Sequence, residues 1–194
     1  AIIQARMGSA RFPRKVMRPI TGVPMIGLLV ERLSRALLVD QIILATSADP
    51  SNDPLAKYIQ EQGYPVFRGD EEDVLDRYFQ AAKEADADLI VRITGDCPLI
   101  DPEIVDTVIQ AREGEQVDYA CNVMPPTFPN GLDVEVFRFS ALEQAWREAA
   151  DPHGCRRQCR GPAWAPGALR CHGEPLRLPD SWGGESICGA SQYR

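Results

Sequence analysis

Residues 1–16 read AIIQARMGSARFPRKV. Three apolar residues run straight into a polar segment that holds Gly8, Ser9 and four cations, Arg6, Arg11, Arg14 and Lys15, although the chain carries a net charge of −7. "AIIQA" reads as a short buried strand. A strand that passes into a glycine-containing loop and then into basic residues is how an α/β sheet presents backbone N–H groups and cations to a phosphate. Gly8 lets the backbone come close to a ligand, and Ser9 offers a hydroxyl. Arg6, Arg11 and Lys15 suit the roughly three to four negative charges of a triphosphate, which arginine can grip with two parallel bonds. Neither G-x-x-x-x-G-K-[ST] nor G-x-G-x-x-G is present, so the segment is not a Walker A loop or a dinucleotide fingerprint. A solvated basic loop remains the alternative reading of the spacing.

Outward from this segment, strand and helix signals alternate through residue 150. Pro24 opens the helical pattern "PMIGLLVERLSRAL", with Met25, Leu29, Leu33 and Leu37 at helical spacing. "QIILATS" is the next buried strand, and "PLAKYIQEQG" is a helix that stops at Gly63. "YPVFRG" is a short strand. Asp70 is placed to cap "DEEDVLDRYFQAAKEA", whose Val74, Leu75, Tyr78, Phe79 and Ala82 share one face. "DLIVRIT" is a strand that runs into "GDCPLID". Asp101 then caps "DPEIVDTVIQAREG", which Gly114 closes. "VDYACN" and "LDVEVFRF" are two further strands, and Ser140 with Glu143 forms a capping box before "SALEQAWREAA". The alternation predicts a three-layer α/β fold with a mainly parallel sheet. Ligands of such sheets bind beyond the carboxyl ends of the strands, near a topological switch point. The polar clusters Arg6–Lys15, Thr46–Asp53, Arg68–Asp73 and Thr94–Asp96 each follow a strand.

The bulk composition fits a soluble globular protein, with 44% apolar and 25% charged residues. Apolar runs of about five residues are too short to span a membrane. "AII" has no signal-peptide core behind it, and nothing points to secretion, so a cytoplasmic protein is expected. A pI of about 4.9 argues against bulk nucleic-acid binding. From residue 151 the character changes: the last 44 residues hold 12 of the 31 Gly and Pro, six Arg, no Lys and four of the six Cys. Their spacing, C-x3-C-x11-C-x16-C, does not match a zinc ribbon. The expected organisation is one α/β domain over 1–150 and an atypical, irregular tail over 151–194.

Three further segments carry candidate residues. Asp96 ends a strand in "TGDCPLID", where its carboxylate projects at the carboxyl edge of the sheet. Mg²⁺ takes hard oxygen ligands and is commonly tied to a protein by one or two carboxylates plus phosphate. Capping of the turn before Pro98 is the alternative for Asp96. In "FRGDEEDVLDRY", Arg77 either reaches the base or substrate or is a solvated helix residue, and Glu71, Glu72 and Asp73 in a first helical turn suit the helix dipole. Thr46 and Ser47, after "IILA", are placed to contact base or ribose. In "NGLDVEVF", Asp133 and Glu135 at i and i+2 share a strand face. Buried carboxylates are costly, so both are expected to face a substrate or solvent at the sheet edge. Asn122 is a similar strand-end candidate. Cys97 and Cys121 read as small buried fillers, and His153 and His172 gain no role from position.

"IIQARMGSARFPRKV" closely resembles the opening of the cytidylyltransferases that activate acidic sugars, and within them the branch typified by spore coat polysaccharide biosynthesis protein F. The pattern there resembles IIQARMGSTRLPGKV, so Ala10, Phe12 and Arg14 are the departures. The resemblance continues through "GVPMI", "VERL", "ILATS", "FRGDEEDVLDRY", "VRITGDCPLIDPE", "DYACN" and "PNGLDVEVF", over about residues 1–150. It implies a nucleotide-diphospho-sugar transferase (Rossmann-like) fold, CTP as co-substrate with Mg²⁺, and a CMP-sugar product with release of pyrophosphate. It places the CTP phosphates on Arg6, Gly8, Ser9, Arg11 and Lys15, and Gln4, Ala5, Thr46 and Arg77 complete the nucleotide set. Asp96 matches the metal-binding Asp, with Arg6, Lys15 and Asp96 as the catalytic group. Asn122, Asp133 and Glu135 stand as the sugar contacts.

After "ALEQAWREA" the resemblance stops. Segments similar to "REHVTPYI" and "RLTVDTPED", the latter carrying an expected second metal ligand, are absent. A reading-frame shift near residues 150–153 of a GC-rich gene accounts for the tail if a one-base change at the locus restores "EHVTPY"-like residues. An engineered or divergent tail is the alternative. A homodimer is common in the family, which implies a second copy as partner. The competing functions are another nucleotidyltransferase or a glycosyltransferase on the same scaffold, and a remnant that holds nucleotide without turnover.

Overall fold

The computed structural model describes residues 1–8, 12–115, 117–123 and 128–149, with two short strands at 176–177 and 186–187. Ser9 and Arg11 lie outside the described residues, as does nearly all of the tail. In chain order the elements are β1 (Ile2–Gln4), a hairpin of β2 (Pro19–Ile20) and β3 (Val23–Pro24), α1 (Met25–Leu33), β4 (Ile43–Ser47), α2 (Asp53–Glu61), β5 (Val66–Gly69), α3 (Val74–Glu84), β6 (Leu89–Thr94), α4 (Pro102–Glu115), β7 (Tyr119–Cys121), β8 (Glu135–Arg138) and α5 (Phe139–Glu148). Leu176–Arg177 and Ser186–Ile187 pair antiparallel as β9 and β10.

Six strands form one sheet in the order β5-β4-β1-β6-β8-β7. β5, β4, β1 and β6 run parallel, and β8 is antiparallel to both its neighbours. The period-2 rule assigns the faces. Ile3, Leu44, Val91, Ile93 and Val136 pack in a core with α1, α2 and α4, whereas Ile2, Ala45, Ile90 and Phe137 pack in a second core with α3 and α5. Burial on both faces explains why these strands read as unbroken apolar runs. On the second face, Phe79 stacks on Trp146 at 4.3 Å between ring centroids, and the Trp146 indole N–H donates to Asp76 at 2.8 Å.

The expected alternation holds, and the element ends differ in five places. α1 stops at Leu33, and Leu37 is 90% exposed. Pro24 sits just before the helix rather than within it. α3 begins at Val74 with Asp73 as its cap, its carboxylate accepting from the Asp76 N–H at 2.9 Å. Asp70 instead accepts from the N–H groups of Glu72 and Asp73, so residues 70–73 form a separate turn ahead of the helix. Gly114 lies inside α4. α5 starts at Phe139, which makes Ser140 its second residue and leaves no capping box; the Phe139 N–H donates to the Asp88 carbonyl at 2.9 Å instead. Asp101 does cap α4, accepting from the N–H groups of Glu103 and Ile104 at 2.9 and 3.4 Å. No helix among the described residues is long and apolar enough to cross a membrane.

From β1 the chain proceeds leftward to β4 and β5, then returns to place β6 on the other side of β1. The loops leaving β1 and β6 therefore diverge, and their carboxyl ends mark the crevice position at which such sheets bind ligands.

Candidate functional site

The first loop after β1 is held from both sides at Met7. Its N–H donates to the Oδ1 atom of Asn52 at 2.8 Å, and its carbonyl accepts from the Arg14 N–H at 3.0 Å. Asn52 is 1% exposed, so this buried amide is a structural brace for the loop. Sequence reading gave Asn52 no role, although a buried polar residue just before a Pro-initiated helix is a place to look for a backbone brace. Gly8 follows Met7 and is exposed. Gln4 ends β1, and its carbonyl accepts from the Gly95 N–H at 2.8 Å. Gly95 is required there, because a Cβ would sit 2.5 Å from the Ala5 Cβ and 2.8 Å from the Gln4 carbonyl oxygen. The close approach of Gly95 to Gln4 and Ala5 brings the ends of β1 and β6 together. Ala5 itself is buried.

Arg14 closes the loop with φ +60°, in the left-handed region. The resembling pattern carries Gly at this position, and the conformation is what Gly supplies without strain. Arg14→Gly is expected to be neutral to stabilising by up to about 1 kcal/mol, relief of strain being partly offset by unfolded-state entropy. Thermal denaturation checks this, and a loss above that size contradicts it.

Two of the loop's candidate cations, Lys15 and Arg6, are each paired with a carboxylate from another strand end. Lys15 Nζ lies 2.6 Å from Asp96 Oδ2, across the crevice between β1 and β6. Arg6 Nη1 lies 2.7 Å from Glu71 Oε1, from the turn after β5. Burial acts to raise the Asp96 carboxyl, but the bond and charge of Lys15, with the Thr94 hydroxyl, hold it below its ordinary value. Asp133 lies near Asp96: burial, and then the Asp96 charge, push its carboxyl up. Among the described residues no group of three or more His, Cys, Asp or Glu is placed to hold a metal ion.

Other candidates stand apart from this crevice. Arg77 is neither solvated nor free to reach a ligand: it is 1% exposed and donates from Nη1 to the carbonyls of Asp70 and, at 2.8 Å, Glu71. Gly69 makes room for it, since a Cβ there would lie 2.8 Å from the Arg77 Cγ. Thr46 is fully buried, and its hydroxyl has no partner among the described residues. Ser47 is also buried and accepts from the Asp49 N–H at 3.0 Å. Asn122 donates to the Leu132 carbonyl at 2.7 Å and accepts from the Val134 N–H at 2.8 Å, which braces the connection from β7 to β8.

The expectation that Glu135 faces sugar or solvent is corrected. Glu135 is 4% exposed, paired with Arg92 directly across the sheet and accepting from the Tyr119 hydroxyl at 3.1 Å. The Arg92 guanidinium lies 5.8 Å from the centre of the Tyr78 ring. Burial pushes the Tyr78 phenol up to about 12. Asp133 lies just ahead of β8 and is only partly buried, so it alone of that pair faces the crevice region. Cys97 and Cys121 are buried, as expected of small fillers.

A mainly parallel sheet with a braced glycine loop and a Lys–Asp pair at its switch point is the arrangement in which α/β proteins place ligand-binding loops at strand ends. The sequence profile of the cytidylyltransferase family matches residues 1–159, and the chain belongs to that family. It is 37% identical over 157 residues to the spore coat polysaccharide biosynthesis protein SpsF of Bacillus subtilis, covering 76% of this chain and 65% of that protein. It is 41% identical over 110 residues to the 3-deoxy-manno-octulosonate cytidylyltransferase of Pelobacter propionicus, covering 57% of this chain and 42% of that one. Among solved structures, a cytidylyltransferase from Leptospira borgpetersenii superposes with a TM-score of 0.72 at 36% identity, covering 75% of this chain and 62% of that chain. The chain thus spans less than two thirds of the length of each of these relatives.

Proposed function

We propose that this protein transfers a cytidylyl group from CTP to an acidic sugar of the nonulosonic type, releasing pyrophosphate and giving a CMP-sugar for polysaccharide or glycan synthesis in the cytoplasm. The observation that carries the reading is the Lys15–Asp96 pair at 2.6 Å across the β1/β6 switch point, beside the exposed Gly8 turn. In this reading Gly8 and its neighbours accept the phosphates, with Ser9 and Arg11 contributing from the same loop. The sugar hydroxyl oxygen bonds to the α-phosphorus as the bridge to the β-phosphate breaks, and the hydroxyl proton leaves to solvent. Arg6 and Lys15 neutralise the charge that grows on the departing pyrophosphate.

Asp96 is the residue that would hold Mg²⁺. Its carboxylate is about half exposed at 49%, is held ionised, and has Asp133 nearby. One or two hard oxygen donors suit an ion that keeps several waters and shares phosphate oxygens. When bound, Mg²⁺ supplies further neutralisation of the phosphates. Asp133 stands as the sugar-side candidate. Arg77 and Glu135 act through the scaffold, since neither reaches the crevice.

Titration with CTP and Mg²⁺ tests the reading. The amide signals of Gly8 and Ser9 should shift, and Tm should rise in proportion to ligand concentration over Kd. Unmoved signals with no gain in Tm would end the proposal. The alternative is a nucleotide holder without turnover. Pyrophosphate release across the four NTPs and a panel of nonulosonic acids separates the two.

A further inference from the structure

We infer that Glu71 is the resident counter-anion of the phosphate loop, occupying in the ligand-free protein a position that a phosphate oxygen of the incoming nucleotide takes over. This rests on the reading of the Gly8 loop as the triphosphate site. Glu71 Oε1 accepts from Arg6 Nη1 at 2.7 Å. The same oxygen lies 3.7 Å from where a Cβ on Gly8 would be. A negatively charged oxygen thus already rests between the Arg6 guanidinium and the Gly8 turn, where those groups are placed to receive an anion.

The turn that carries Glu71 is built rigidly and at some cost. Arg77, buried to 1% exposure, spends its guanidinium on the carbonyls of Asp70 and Glu71. The Asp70 carboxylate closes the turn on the N–H groups of Glu72 and Asp73, at 2.8 and 3.0 Å. The backbone is therefore fixed independently of the Glu71 side chain, which is free to rotate away without unfolding the turn. The side chain itself is incompletely satisfied. Glu71 Oε2 is buried with no hydrogen-bond partner among the described residues. A carboxylate oxygen shut off from water without a donor destabilises the conformer that holds it there. A side chain that gains hydration on leaving, from a backbone that does not move, is suited to exchange.

The exchange conserves ion pairing at Arg6. The Arg6–Glu71 bond gives way to Arg6–phosphate, and the freed carboxylate turns to water. Glu71 keeps the guanidinium extended over the loop before binding and lowers net affinity for the anion, because the ligand must displace it. It is a positioning residue that acts through Arg6 and does not touch the reacting phosphorus.

The test is calorimetric titration of inorganic pyrophosphate and of CTP into the wild-type protein, Glu71→Gln and Glu71→Asp, with fold checked by circular dichroism. Removing a competing pair whose side chains are 32% and 34% exposed is expected to tighten pyrophosphate binding about fivefold in Glu71→Gln. Glu71→Asp, which keeps the charge but draws it back from Arg6, should fall between. In the wild-type protein the Glu71 side-chain carboxyl carbon signal should move as pyrophosphate saturates. Weaker binding by Glu71→Gln, or a carboxyl signal that stays still while pyrophosphate binds, overturns the exchange and leaves the triphosphate site standing. If the wild-type protein binds neither pyrophosphate nor CTP, the site reading and this inference fall together.

Discussion

Lys15→Ala is expected to lower cytidylyl transfer about 10²–10³-fold, the scale for removing one preorganised group that meets charge developing in a transition state. The fold should be almost indifferent. The Lys15–Asp96 pair has side chains 31% and 49% exposed, and pairs of that exposure contribute at most about 1 kcal/mol. Backbone contacts set where Lys15 stands: its N–H donates to the Phe12 carbonyl at 3.3 Å, and Val16, next in the chain, is 2% exposed in the core. Loss of the ammonium therefore leaves the loop in place and removes only the charge. The Asp96 carboxyl loses the partner that holds it down, so it should titrate at higher pH in this variant. Pyrophosphate release at saturating CTP, measured beside Tm, checks the separation. A loss below tenfold, or a collapse in Tm that accounts for the loss, would remove Lys15 from the chemistry.

Much of this arrangement is legible from the chain because it depends on local pattern. Apolar runs bounded by Pro and Gly locate the buried strands, and parallel connectivity then sends every strand-end cluster to one edge. Lys15 and Asp96 meet for that reason, 81 residues apart in sequence. What escapes is whatever a distant partner decides. Asp70 reads as the cap, but Arg77 ties down the carbonyls at 70 and 71 and ends the turn before the helix, so Asp73 caps instead. Arg77 itself looks like a surface residue, because its burial needs the missing Cβ of Gly69. Ser140 and Glu143 fit the capping-box spacing, yet the Asp88 carbonyl takes the Phe139 N–H and the helix starts two residues early. Arg92 and Glu135 do leave a sequence signal: Arg92 is the one charge in Leu89–Thr94, Glu135 stands between Val134 and Val136, and the signs are opposite. Paired burial satisfies both at once, whereas an edge position for Glu135 leaves Arg92 unexplained.

That pairing makes Glu135→Ala the variant with the largest expected effect on stability, a loss of about 3–5 kcal/mol. The Arg92 guanidinium stays charged, since the neighbouring Tyr78, Glu135 and Tyr119 outweigh a burial that works to lower it. Without Glu135 it would be left 8% exposed and uncompensated between β6 and β8. For a chain of this length the loss corresponds to a fall in Tm of about 6–20 °C. β8 is the strand that reverses direction beside β6, with Arg92 opposite Glu135 in its register. A one-residue slip would turn Phe137 and Glu135 to the other face, so the pair also specifies how β8 docks. The double variant Arg92→Met, Glu135→Leu should recover most of the loss, because filling a buried pair's volume with apolar atoms is commonly neutral or stabilising by about 1–4 kcal/mol. Chemical denaturation of the two singles and the double measures this as a coupling energy. Glu135→Ala that keeps its Tm and loses only sugar affinity would return Glu135 to the substrate; a large coupling with nucleotide binding retained in the double variant assigns it to the frame that holds the crevice open.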